Sequence, residues 1–168
     1  SGCEAGGTGT NREAGATAAN TNAAARTEGK KPTVDEIRAV LAAHDKALND
    51  KNLDAIMATF STDPTTVMMG TGSEERWMGP QEVRSAYSEI IKDYDPGTLD
   101  AKCDCKTGGS DDDGQMAWLA ASCDCKDSLK GKVRSYKLNI TGTVAKQNEQ
   151  WKFVSLHMSN AFQPPVSK

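Results

Sequence analysis

Two copies of one tripeptide carry most of the reactive chemistry in this sequence: Cys103-Asp104-Cys105 and Cys123-Asp124-Cys125. Strand alternation puts all four sulfurs on one face of a hairpin. Thiols so placed can form disulfides, hold zinc or copper as thiolates, or stay as small buried hydrophobes. In an antiparallel ladder, opposed residue numbers have a constant sum. Cys103–Cys125 and Cys105–Cys123 therefore fit one register, whereas Cys103–Cys123 and Cys105–Cys125 cannot both form in one. The first register centres the hairpin on Gly114, while the turn-forming stretch Gly108 to Gly114 is centred near residue 111. In an exported chain disulfides are the favoured reading. No other metal site and no cofactor is expected.

The chain has two histidines, the side chains that titrate near neutral pH. His157 alternates with Trp151, Phe153 and Ser155, and is the candidate catalytic residue. Ser159 follows it on that face at ~7 Å, too far for a nucleophile and its base to touch. His44 lies on the apolar face of a helix with Ile37, Val40, Leu41 and Leu48. Each histidine could equally fill the core with one hydrogen bond. Alternation puts Asp100 and Asp104 on the wet face, and Asp124 faces away from its flanking cysteines, so no carboxylate stands out as a base. There is no phosphate-binding glycine loop and no metalloprotease helix motif.

The elements that must position these residues follow from pattern. The length of 168 residues fits one domain, and no apolar run approaches a membrane span. A net charge of −3 excludes a general nucleic-acid binder. From Glu4 to Lys31 there is no Val, Ile, Leu, Met or aromatic residue, which reads as a disordered tether. The folded part is 33–163, with a short tail at 164–168. Thr33 and Glu36 form a capping box for the first helix. Asn52 caps a second, Leu53 to Phe60, and Gly79-Pro80 opens a third. Thr65 to Met69 and Arg76 to Met78 are short strands. After Pro96 the period changes to two, giving strands at Thr98–Thr107, Gln115–Lys126, Lys132–Lys146 and Gln150–Phe162.

Two resemblances add to this. Ser1-Gly2-Cys3 before a polar tether resembles the processed end of a bacterial lipoprotein. That implies lipid on Cys3, export, and a cell-envelope location, with Glu4 favouring the outer membrane. The chain from 33 to 162 resembles the SnoaL-like branch of the nuclear-transport-factor-like superfamily. The carrying passages are Ala47-Leu48-Asn49-Asp50-Lys51-Asn52-Leu53-Asp54-Ala55-Ile56, Trp77-Met78-Gly79-Pro80-Gln81-Glu82-Val83, and Trp151-Lys152-Phe153-Val154-Ser155-Leu156-His157-Met158-Ser159. The resemblance implies an α+β cone of three helices on a curved, mostly antiparallel sheet. It implies a pocket in which His157 is joined by His44, Met57, Phe60, Met68, Met69, Trp77, Tyr87, Tyr136 and Ser159. It also implies a homodimer through the back of the sheet, with Trp118 at the contact. The expected function is binding of a small apolar or amphipathic molecule without turnover. The alternatives are a cofactor-free isomerase, cyclase or hydrolase using His157, and an interaction module with a filled cone.

Overall fold

The structure is a computed structural model that describes residues 30–161. Cys3, the rest of the tether and the tail at 164–168 lie outside the described residues. Chain order is α1 (Val34–Asn49), α2 (Leu53–Met57), β1 (Val67–Met69), β2 (Arg76–Met78), α3 (Gly79–Ile90), β3 (Asp100–Ser110), β4 (Met116–Leu129), β5 (Lys132–Gln147) and β6 (Gln150–Asn160). The strands form one sheet in the order β2-β1-β6-β5-β4-β3. All neighbours are antiparallel except β1 and β6. The helices pack on one face of the curved sheet, and the α+β architecture is the expected one.

The local signals acted as expected at the helix starts. The Thr33 hydroxyl accepts from the Glu36 amide while the Glu36 carboxylate accepts from the Thr33 amide. The Asn52 side chain caps α2 by accepting from the Ala55 amide at 3.0 Å. That helix is shorter than expected and ends at Met57. Phe60 instead bridges to Phe153, with Phe153 N donating to Thr59 O and Ser61 N donating to Phe153 O.

That bridge changes the facing of β6. The strand pairs first with the 59–61 segment and then with β1, at Ser155 to His157. Between the two it carries a bulge: Thr143 faces Ser155 and Val144 faces Phe153, leaving Val154 extra. Phe153 and Leu156 are thus both buried on the helix side. His157, opposite Thr141 and Met69, points to the other face. The unbroken alternation assumed from sequence put His157 with Phe153 and is corrected here.

The β3–β4 hairpin also differs. β3 runs on through Gly108, Gly109 and Ser110, so the turn is Asp111 to Gln115. A Cβ at Gly109 would stand 2.5 Å from the Trp118 ring, so these glycines serve close approach within the strand rather than a turn.

Candidate functional site

The helix side of the sheet closes around an aromatic core. His44, Phe60, Tyr87 and Phe153 are all at most 2% exposed. The His44 ring lies edge-on to the other three at centroid distances of 5.5–6.1 Å. Such an imidazole needs partners, and it has two. Its Nδ1 is 3.1 Å from Asp45 Oδ1, and its Nε2 is 2.6 Å from the Tyr87 hydroxyl. An ionised carboxylate can only accept, so Nδ1 donates to Asp45, and Tyr87 then donates to Nε2. Burial first, then the Asp45 charge, pushes the Tyr87 hydroxyl far above its ordinary range, so it stays a donor. The expected pocket residues His44, Phe60 and Tyr87 do meet, but they fill the cone. They line none of the cavities described below.

The other expected site residues separate. Met57 and Trp77 pack part-buried against the core, and Met68 is buried in it. Met69 is 42% exposed on the outer face. Ser159 shares that face with His157, opposite exposed Asn139. Tyr136 stands opposite Cys125 and serves a different cluster. There the buried Asp127 carboxylate accepts from Arg134 Nε at 2.6 Å and from Tyr136 OH at 2.9 Å. Burial first, then that hydrogen bond, raises the Tyr136 hydroxyl, while the Asp127 contact raises the Arg134 guanidinium.

The cysteines lie on the inner face, as expected, but in another pairing. Cys103 faces Cys123 and is bonded to it, with a Cα–Cα distance of 4.0 Å. This register centres the hairpin one residue before Gly114. Cys105 and Cys125, also disulfide candidates, are not bridged. They stand opposite Ala121 and Ala101. Burial, then the Asp45 charge, pushes the Cys125 thiol up to about 11. Beside the bridge, α1 and β3 leave a cleft of about 350 Å³ lined by Arg38, Asp45, Cys103 and Cys105 among others. Arg38 closes one side by donating to Cys105 O at 2.9 Å. Among the described residues no group of histidine, cysteine or acidic side chains forms a metal site.

A further large cavity was not legible in the sequence. It is an open groove of about 860 Å³ between α1, α2 and the β5–β6 turn. Its floor is small and apolar: Ala39, Val40 and Ala43 from α1, Ala55 and Ala58 from the α2 region, and Trp151. Its rim holds Lys30, Lys31, Lys146 and Lys152 against Glu36 and Glu149. Lys146 pairs with Glu149 at 2.8 Å, and Lys152 donates to Ala58 O. The available signal was the alanines recurring on α1 away from its large apolar face, a stripe that buries nothing within its own helix.

The outer sheet face is open. Trp118 is 50% exposed, flanked by a shallow depression of about 240 Å³ that includes Thr141, Thr143 and Ser155.

Comparison with known proteins agrees with this architecture. No curated protein matches the chain. A ketosteroid isomerase-like protein from Erwinia carotovora atroseptica superposes with a TM-score of 0.63 at 17% identity, covering 77% of this chain and 96% of that one. A nuclear transport factor 2-like superfamily protein from Salmonella enterica serovar Typhimurium gives 0.66 at 15% identity, over 80% and 94%. A cystatin-like-fold protein of unknown function from Nostoc punctiforme gives 0.61 at 13%, over 82% and 99%. At these identities the likeness is one of fold. The SnoaL-like domain matches residues 37–163, and the chain belongs to that family.

Proposed function

We propose that this SnoaL-like domain is a binding module for an amphipathic anion, seated in the lysine-rimmed groove rather than inside the cone. The observation that carries the reading is the groove itself: five small apolar side chains and Trp151 line it with four lysines and two glutamates, and of these lysines Lys31 is paired with Asp112 and Lys146 with Glu149. The floor suits an alkyl or terpenoid body, and the rim suits a carboxylate or phosphate ester. Reversing two rim charges tests it. Lys146→Glu with Lys152→Glu should weaken binding of dodecanoate at least tenfold, about 1.4 kcal/mol, in calorimetric titration. Unchanged affinity would remove the rim from the account. The tether and Cys3 support a lipid-anchored envelope location for the module, and recovery of acyl mass on the Cys3 peptide would test that.

We also propose that the domain pairs through its outer sheet face. The half-exposed Trp118 ring lies over Gly109 and lines a depression on the same face, an apolar patch that a second copy could cover through a two-fold contact. Sedimentation at micromolar concentration should give a dimer, and Trp118→Glu should give a monomer of unchanged circular dichroism. A monomeric parent protein would overturn this.

A second reading, a cofactor-free isomerase or hydrolase, rests on a different observation. The Tyr87–His44–Asp45 chain ends on a carboxylate that is 23% exposed and lines the α1/β3 cleft. In this reading the base is Asp45, since His157 faces away from the cone.

A further inference from the structure

The groove leaves the cysteines unused, and their surroundings are unequal. Cys103 is part-exposed on the cleft wall, whereas its partner Cys123 is 2% exposed. An external thiol entering the cleft therefore reaches Cys103, not Cys123. Cys125 faces Ala101, so it lies diagonal to Cys103 on the same side of the sheet. Cys105 faces Ala121, four residues out of register with Cys125. At ~3.3 Å per residue those two sulfurs cannot meet, and each can bond only to a member of the existing bridge.

Diagonal neighbours on paired strands are ~7–8 Å apart, beyond the ~6.8 Å that a disulfide spans, so the backbone must move by about 1 Å for the bond to form. β3 can supply the difference. Among the described residues it is an edge strand, bonded to β4 alone, and its ladder is interrupted by a bulge between Cys105 and Thr107. We propose that the α1/β3 cleft is a thiol–disulfide exchange site, in which Cys103 takes up an external low-molecular-weight thiol and the internal bond passes from Cys123 to Cys125.

The steps balance without an oxidant. The external thiolate attacks Cys103 Sγ, forming a mixed disulfide and expelling Cys123 as a thiolate. Cys123 is protonated by solvent and Cys125 gives its proton to solvent, because two residues along one strand face the two sulfurs are too far apart, at ~7 Å, to exchange it directly. The Cys125 thiolate then attacks Cys103 Sγ, forming the Cys103–Cys125 bond and releasing the external thiolate. The bond has moved, and the external thiol is regenerated.

The test uses the folded full chain and reduced glutathione. After acid quenching and alkylation, disulfide positions are assigned from peptide fragment ions. The expected products are glutathione on Cys103 and a Cys103–Cys125 link. In Cys125→Ser the Cys103 mixed disulfide should accumulate several-fold over the parent, because only the return of Cys123 can then resolve it. The proposal is overturned by glutathione on Cys105 or Cys125 instead of Cys103. It is equally overturned by loss or persistence of the Cys103–Cys123 bond without any Cys103–Cys125 link. If Cys125→Ser does not fold, the parent protein's product map decides alone.

Discussion

Phe153→Ala is expected to lower the free energy of unfolding by about 3–5 kcal/mol, the range for removing a fully buried aromatic ring. Phe153 is 0% exposed and stands in ring contact with His44 and Phe60. The sheet is shaped to receive it: a Cβ at Gly142, on the neighbouring strand, would lie 2.9 Å from the Phe153 ring. His44, one of its ring neighbours, is held by hydrogen bonds to Asp45 and Tyr87 and is not free to move into the vacated volume. The backbone of Phe153 also anchors the chain before β1, through Thr59 and Ser61 at 2.8 Å each. Urea unfolding monitored by far-ultraviolet circular dichroism measures the change. A loss below about 1 kcal/mol, the ordinary effect of a single substitution, would mean that the core is not packed as described.

Arg134→Ala should have the next largest effect, for an electrostatic reason. The Asp127 side chain is only 2% exposed, and Arg134 supplies its charged partner at 2.6 Å. Removing one member of a fully buried pair costs about 3–5 kcal/mol; because Arg134 is itself 39% exposed, water can reach its vacated place, and the expected loss is about 2–3 kcal/mol. Tyr136 OH, the other donor, is neutral and does not compensate. Arg134 also ties β5 to the turn after α3 by donating to Asp93 O at 2.5 Å, so its loss frees that segment too. Removing both charges together, with Asp127→Leu and Arg134→Met, should recover a large part of the loss, as replacing a whole buried pair by apolar groups often does. Chemical unfolding of the single and double variants measures both effects. A double variant as unstable as Arg134→Ala would show that the uncompensated charge is not the cause.

Much of the fold was legible because its signals are local. The capping box, the Asn52 cap and the Gly79-Pro80 start are each set by residues within a few positions. The period-two run after Pro96 follows from a sheet with one buried face. The facing of His157 was not legible, because it depends on a contact between Phe60 and Phe153 across more than half of the folded chain. A bulge there flips every later side chain, and no residue in β6 announces it. The bridge position was missed for a related reason. Two glycines read as turn-formers were strand residues that admit the Trp118 ring, which moved the hairpin centre. Asp127 was partly readable: it continues the alternation of Cys123 and Cys125, but an aspartate before a turn looks like turn chemistry. The groove was least legible of all. Its walls come from α1, α2 and the β5–β6 turn, and its floor from alanines that look inert in one dimension.

The central claim is that an amphipathic anion occupies the groove while the cone stays filled. Titrating dodecanoate into isotope-labelled protein, and following amide and indole shifts by heteronuclear nuclear magnetic resonance, tests this most directly. Saturable one-to-one binding is expected, with the shifts concentrated at Ala39, Ala43, Ala58 and Trp151 and little change at Ile140 or Leu156. Shifts centred on the cone lining around His44 and Tyr87, or no saturable response, would contradict it.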